Sequence, residues 1–294
     1  MDYKSVQQVG SDIVIFGISH FDLAQTLDNG QAFRWASAGE GKFSGIAHGR
    51  RLDLELSEGS LVLKDVALPE FEATWKDYFD LGRSYSHLRY IFKDYDTMTK
   101  ALAFSPGLRL MRQDMWEMLV SFILSQNSNI PRIKKMIEQL CQNFGRELPG
   151  MHGRAGRQAN DQPCSGSAFP TPQALAGLTE NDLAVIKSGY RAAYILDAAR
   201  RVADGRLDLS GISVQPTEVV RQALLEVHGV GPKVADCVLL FGFGRVECFP
   251  LDVWMKRVVA ALYPGGFPEE IGQYAGIAQQ FLFHYARSHP QAFG

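Results

Sequence analysis

The chain has little that would hold it together covalently or fasten it to a membrane. Its 294 residues include four cysteines, Cys141, Cys164, Cys237 and Cys248. They show neither metal-ligand spacing nor a disulfide framework, so neither device organises the fold. No apolar run approaches the ~20 residues of a membrane span. The opening MDYKSVQQVG lacks the apolar core of a signal peptide. A reducing cytoplasm without membrane attachment is therefore expected. Excess positive charge is missing too, since 30 Lys and Arg face 32 Asp and Glu for a net charge of −2. That counts against a uniformly basic nucleic-acid binder, but it permits a locally positive groove. No internal repeat is present. What remains is 46% hydrophobic residues in a chain long enough for two domains and a sizeable core.

Two styles of sequence follow one another. From Ile13 to about Asp65 the chain is strand-like: Leu52, Leu54 and Leu56 alternate with Asp53 and Glu55, the period of a half-buried strand. Glycines at 39, 41, 45, 49 and 59 punctuate this part. Phe71–Lys93 reads helical, and from Gln113 helices dominate. Asp114 is placed to cap a helix with the apolar face Met115, Met118, Leu119 and Phe122, and Glu117 stands at the capping-box position. The spacing predicts a boundary near Ser105–Pro106–Gly107, dividing 1–105 from 106–294. Residues 145–167, rich in Gly, Arg, Asn, Gln and Ser, read as a flexible surface loop. Arg154 and Arg157 within it are better read as solvated than as ligand contacts.

The most informative segment is LLEVHGVGPKVADCVLLFGFGRVECFPLDVWMKR, Leu224–Arg257. A helical run ends in Gly229-Val230-Gly231, whose glycines permit a tight turn and close approach to a ligand. Pro232 suits a first helical turn. The exposed amides there make an anion site. Lys233 follows at the helix start, and Asp252 stands before a later helical run. A lysine is a nucleophile only when neutral, and the positive end of a helix dipole disfavours its ammonium. A carboxylate would work against that, so Asp252 is better suited to stabilise positive charge developing on a sugar ring. Its structural alternative is an N-cap, and both roles are compatible. For the hairpin the alternative is an ordinary corner with an exposed lysine. Together, phosphate grip, lysine and carboxylate suggest amine attack on a nucleotide's sugar carbon.

Gly229–Cys237, read with Pro250-Leu251-Asp252-Val253, resembles the helix-hairpin-helix DNA glycosylases, and among them the 8-oxoguanine DNA glycosylases. The resemblance runs from about Ile13 to Phe283 and rests on several independent motifs in the right order. The four cysteines lack the spacing of the iron–sulfur loop found in some relatives. Gly30-Gln31-Ala32-Phe33-Arg34-Trp35 resembles the family's Gly-Gln-Ser-Phe-Arg-Trp, with Ala32 in place of Ser. There the glycine carbonyl accepts from N7–H of the oxidised base. Guanine presents N7 as an acceptor, so the same carbonyl opposes undamaged DNA at about 1–3 kcal/mol per mismatched contact. A plain turn glycine is the alternative.

In Tyr274–Phe283, Gln279 and Phe283 are four residues apart on one helix face. The resemblance assigns Gln279 to the Watson–Crick edge of a flipped base, Phe283 to stacking on it, and Cys237 to its other face. Core packing is the alternative for Phe283 and Cys237, and Gln280 competes with Gln279 for the amide role. In Ser121–Ile133 the resemblance places Asn127 in the space left by the flipped base and Arg132 on the orphaned cytosine. Asn129 and Pro131 shape that turn. In Gly189-Tyr190-Arg191 it assigns Tyr190 to a wedge beside the opposite base and Arg191 to the same cytosine; a packed tyrosine and a solvated arginine are the alternatives. Trp254 stands where well-known relatives carry a histidine near the phosphate, so that role is not carried over.

The expected architecture is α+β, an N-terminal antiparallel sheet with helices packed on a larger helical region bearing the hairpin. The resemblance implies a bifunctional glycosylase and AP lyase acting on 8-oxoguanine opposite cytosine in double-stranded DNA. It would work as a monomer, cytoplasmic and nucleoid-associated in a bacterium. No cofactor is required; a structural monovalent or divalent cation on the carbonyls of Leu225, Val227 and Val230 is implied by resemblance alone. Two other readings stay open. One is a monofunctional alkylated-base glycosylase, which uses the aspartate with water and lacks the hairpin lysine. The other is a non-catalytic DNA-binding protein, which needs no base pocket.

Overall fold

The computed structural model describes residues 1–149, 166–263, 265 and 267–293. Six antiparallel strands form one sheet: β1 (Ser5–Val9), β2 (Asp12–Phe16), β3 (Trp35–Gly39), β4 (Lys42–Ala47), β5 (Arg50–Ser57) and β6 (Ser60–Leu63). Their order is β1-β2-β6-β5-β4-β3. The alternation read in β5 holds for Leu52 and Leu54, which are buried while Asp53 and Glu55 are half-exposed, but not for Leu56, which is itself half-exposed. Among the described residues nine helices have eight residues or more. These are α1 (Tyr85–Phe92), α2 (Asp96–Phe104), α3 (Met115–Leu124), α4 (Ile130–Phe144), α5 (Arg191–Ala203), α6 (Thr217–Leu225), α7 (Pro232–Phe241), α8 (Val253–Leu262) and α9 (Ala275–Ser288). The α+β class is as expected. No helix among the described residues is long and apolar enough to cross a membrane.

Contacts divide the chain into two interleaved units. The first comprises 1–31, 54–112 and 244–294. Its core is aromatic: Trp75 and Phe79 stack at 6.2 Å, and Phe92 of α1 meets Phe281 of α9 edge-on at 6.3 Å. Arg109 is wholly buried and pairs with Asp2 at 2.7 Å. Asp2 also accepts from the Tyr85 amide and the Ser86 hydroxyl at the start of α1, so the N-terminal segment supplies that helix with a cap.

The second unit comprises 32–53 and 113–243. Phe122 of α3 stacks on Phe241 at 5.3 Å and takes Phe33 edge-on at 5.8 Å. This division does not follow the cut at residue 105. Phe33 lies in this unit with the cluster on α3, and Phe281 in the first unit with its aromatic core. Arg154, Arg157 and Cys164 lie outside the described residues. The segments flanking them pair, with the Leu148 amide on the Gly166 carbonyl at 2.7 Å and the Ala168 amide on Arg146 at 2.8 Å.

Asp114 caps α3 as read, accepting from the Glu117 amide at 2.8 Å. The Glu117 side chain does not complete the capping box. It faces Arg34 at 3.9 Å and is only 13% exposed. Burial pushes its carboxyl up to about 7, with Asp114 adding to the rise and Arg34 opposing it. The folded protein thus holds this proton more tightly than the unfolded chain. The stability it contributes is present below the ordinary carboxylate range and lost as pH rises through about 7. Glu117→Gln should therefore lose less melting temperature between pH 5 and pH 8 than the parent. Parallel melting curves across that range check this; equal losses would make the burial energetically silent.

Candidate active site

The hairpin after α6 is built as the glycine pattern suggests, with one difference. The Val230 amide closes the turn on the Val227 carbonyl at 3.0 Å. Gly229 has φ +81°, and a Cβ there would overlap the ring of Tyr194. Any side chain at Gly229 is therefore excluded twice, by conformation and by space. Gly231 has an ordinary φ of −97° as the N-cap residue of α7, and a Cβ there would meet nothing. It needs no left-handed backbone; its lack of a side chain leaves the amide end of α7 open.

Helix α5 braces this hairpin. Tyr194 meets His228 at 4.7 Å and Tyr190 at 5.6 Å. Asp197 accepts from the His228 amide at 2.8 Å and from Arg201 at 2.9 Å. Neither Tyr194 nor Asp197 stood out in the sequence. Their only signal was the spacing that puts both on the face of α5 shared with Tyr190 and Arg201.

Lys233 is half-buried in the first turn of α7. Its Nζ donates to the Ser125 hydroxyl at 3.4 Å and lies 5.3 Å from the centroid of the Phe122 ring. Its described partners are thus a hydroxyl and an aromatic face, with no carboxylate among them. Ser125 was not singled out from sequence; it lies at the C-terminus of α3, in the polar run that begins there. Cys237, one helical turn after Lys233, is buried on the same helix.

The turn between α3 and α4 carries Asn127, exposed and left-handed with φ +47°. Asparagine tolerates that conformation better than most residues. Its Nδ2 donates to the Tyr190 hydroxyl at 3.1 Å, and Tyr190 is 48% exposed. Asn129 and Pro131 shape this turn as read, and Asn129 also caps α4, a role the sequence reading did not give it, by accepting from the Arg132 amide at 3.0 Å. Arg132 is exposed.

Arg191 is not the solvated arginine of the alternative sequence reading, being only 3% exposed. Its guanidinium donates to the carbonyls of Gln126 (2.8 Å from Nε), Ser188 (2.9 Å) and Asn127 (3.1 Å). In this arrangement it fastens the turn that presents Asn127, and its donors are engaged with backbone. Arg132, Asn127 and Tyr190 are thus available at the surface, and Arg191 supports them from beneath.

The remaining candidates lie in the first unit. Gly30 has φ +94°, so any other residue is strained there. The neighbouring Gln31 is wholly buried and fixes that turn with three hydrogen bonds, to Thr26 (2.8 Å), Arg109 (2.8 Å) and the Met111 amide (2.9 Å). Asp252 caps α8, accepting from the Met255 amide at 2.8 Å through one carboxylate oxygen. Its second oxygen has no protein partner among the described residues. Trp254 packs under Arg257 at 5.4 Å. On α9 the core position is taken by Phe281, 1% exposed, whereas Phe283 is half-exposed. Gln279 is buried and donates to the Pro250 carbonyl at 3.2 Å.

A glycine hairpin with a lysine at the following helix start, and an aspartate capping a later helix, defines the helix-hairpin-helix class of base excision repair proteins. Residues 120–269 match the family model described as HhH-GPD superfamily base excision DNA repair protein. Residues 13–119 match that of the 8-oxoguanine DNA glycosylase N-terminal domain. The chain belongs to the 8-oxoguanine DNA glycosylases. It is 31% identical to the probable N-glycosylase/DNA lyase of Methanothermobacter thermautotrophicus, over 92% of this chain and 95% of that protein. The solved structure of MBOgg1 with a low-affinity DNA ligand is 38% identical, covering 99% of this chain and 100% of that one with a TM-score of 0.88. The Clostridium acetobutylicum 8-oxoguanine glycosylase/lyase was solved with double-stranded DNA carrying cytosine opposite 8-oxoG. It is 31% identical over 99% of this chain and 100% of that one, with a TM-score of 0.89.

Proposed function

We propose that this protein excises 8-oxoguanine from duplex DNA opposite cytosine and then nicks the strand. The observation that carries the reading is Lys233. It sits at the start of α7 directly after the hairpin, with Nζ on Ser125 and over the Phe122 ring. A glycosylase using only an aspartate and water has no need of it. The nucleotide must leave the stack for its sugar carbon to be reached. The Nζ lone pair then bonds to C1′ as the bond from C1′ to the base breaks, and the base departs with the electron pair and takes up a proton. Nitrogen gives up one of its two protons, its freed lone pair closes a C=N bond as the bond from C1′ to the ring oxygen opens, and that oxygen keeps the electron pair and takes up a proton, leaving a protonated Schiff base. A proton next leaves C2′, and the 3′ phosphate departs as the bond from C3′ to oxygen breaks. Asp252 stabilises the positive charge on the sugar during base loss.

Gly30, Gln279, Phe283 and Cys237 are the proposed base contacts. Gly229 and Gly231 shape the phosphate-holding hairpin. The carbonyls of Leu225, Val227 and Val230 are the proposed seat of a structural cation, and the second lone pair of the Val227 carbonyl remains for it despite the Val230 bond. The protein is proposed to act as a cytoplasmic monomer on double-stranded DNA. Borohydride trapping on a duplex with one 8-oxoguanine tests the reading. A covalent protein–DNA product is expected, and its absence from a protein that binds the duplex would overturn it.

The opposite strand supplies a further expected outcome. The pairing edge of cytosine offers two acceptors, which suit arginine; that of adenine sets a donor beside its acceptor. Such a mismatch costs about 1–3 kcal/mol, roughly a tenfold to hundredfold preference. Excision should be faster opposite cytosine than opposite adenine, and Arg132→Ala should narrow the ratio. Single-turnover rates opposite each of the four bases, at one salt concentration, measure this. Were Arg132 only a phosphate contact, the substitution would weaken all four duplexes equally and leave the ratio unchanged.

A further inference from the structure

Gln279 and Gln280 are consecutive on α9, and both are buried, 3% and 4% exposed. Neighbours in a helix point about 100° apart and seldom act together. Here the amides meet: Gln280 Nε2 donates to Gln279 Oε1 at 2.7 Å, and Gln279 Nε2 donates to the Pro250 carbonyl at 3.2 Å. The direction of this relay is set from one end. A backbone carbonyl can only accept, so Gln279 must turn its NH2 toward Pro250. Its Oε1 then faces Gln280, which must answer with its own NH2. The relay stops there. Gln280 Oε1 is buried with no hydrogen-bond partner among the described residues. Buried amide oxygens in native proteins are rarely left so.

We propose that Gln280 is a specificity-determining positioning residue: it holds the Gln279 amide in one of its two orientations and leaves an acceptor for a donor that arrives with the base. The inference rests on the proposed assignment of Gln279 to the base's Watson–Crick edge. A guanine-type edge carries two donors, N1–H and the 2-amino group. The relay leaves two acceptor capacities, the second lone pair of Gln279 Oε1 and the whole of Gln280 Oε1. An adenine-type edge, with N1 as an acceptor, would set acceptor against acceptor. Without Gln280 the Gln279 amide is tied only through Pro250, and the side chain is free to rotate away from its reading geometry. With a carboxylate at 280 an acceptor faces Gln279 Oε1, so the amide must turn over and take its NH2 from Pro250.

The test compares Gln280→Glu, Gln280→Met and Gln279→Ala with the parent. Single-turnover excision is measured on 8-oxoguanine and on 8-oxohypoxanthine, which lacks the 2-amino group. Binding is measured to a duplex with a tetrahydrofuran abasic analogue, which has no base. Gln280→Glu is expected to slow 8-oxoguanine excision roughly tenfold to hundredfold with abasic-analogue affinity intact. Gln280→Met, similar in shape and without polar atoms, is expected to narrow the preference for 8-oxoguanine over 8-oxohypoxanthine. Should both variants match the parent while Gln279→Ala is impaired, the role of Gln280 is overturned and the reading of Gln279 stands. Should Gln279→Ala itself excise and discriminate normally, the reading of Gln279 falls. Equal loss on the lesion and on the abasic analogue would make Gln280 a packing residue only and would also overturn the inference.

Discussion

Lys233→Gln should yield no borohydride-trapped adduct on an 8-oxoguanine duplex, while the variant still binds the lesion. Glutamine is close to lysine in length, and its amide can keep the hydrogen bond to the Ser125 hydroxyl that Lys233 makes at 3.4 Å. It cannot form a Schiff base. The hairpin does not depend on the side chain: the turn is closed by the Val230 amide on Val227, and Gly229 is seated against Tyr194. Binding should therefore survive while excision falls by roughly three orders of magnitude or more, the scale of losing a nucleophile. Retained binding with lost trapping separates chemistry from folding. A normal adduct in this variant would move the nucleophile to another residue.

Asp252→Asn should slow base release about a hundredfold to a thousandfold, the scale of removing one preorganised electrostatic contact. The structure makes this substitution informative. Asp252 is the N-cap of α8, and asparagine is as good an N-cap as aspartate. The bond to the Met255 amide, 2.8 Å in the parent, can therefore persist while the charge is removed. Melting temperature should hardly move. Asp252→Ala removes cap and charge together and should add a stability loss of about 1 kcal/mol. Comparing the two by single-turnover kinetics and thermal melting divides the roles; an unchanged rate in Asp252→Asn would reduce this residue to a helix cap.

Features carried by local spacing were the legible ones. The caps at Asp114 and Asp252 follow from residue type beside a helical run, because the acceptor and its amide lie within one turn. The Gly229 turn and the placement of Lys233 at the start of α7 are equally local. So is the spacing of Gln279 and Phe283 on α9. Gly231 shows the limit even here. Its pattern matched a turn glycine, yet its backbone is extended, because a glycine kept for an open amide end looks the same in sequence as one kept for a left-handed φ.

By itself, then, the sequence determined the α+β class, the helix-hairpin-helix motif, the lysine and aspartate at their helix starts, and the family. All of these rest on contacts within a turn or on motif order. Tertiary structure alone decided that Arg191 lies beneath the turn of Asn127, that Gln31 holds Gly30 in place, that Tyr194 and Asp197 brace the hairpin, and that Gln280 donates to the amide oxygen of Gln279. It also decided that Phe33 meets Phe122 and that Phe281 meets Phe92, partners far away in the sequence. The physical reason is common to these. Most of their partners are backbone carbonyls, backbone amides or aromatic faces tens of residues away. Every residue carries a carbonyl, so no residue type marks which one a buried guanidinium or amide will find; only the packed chain chooses it.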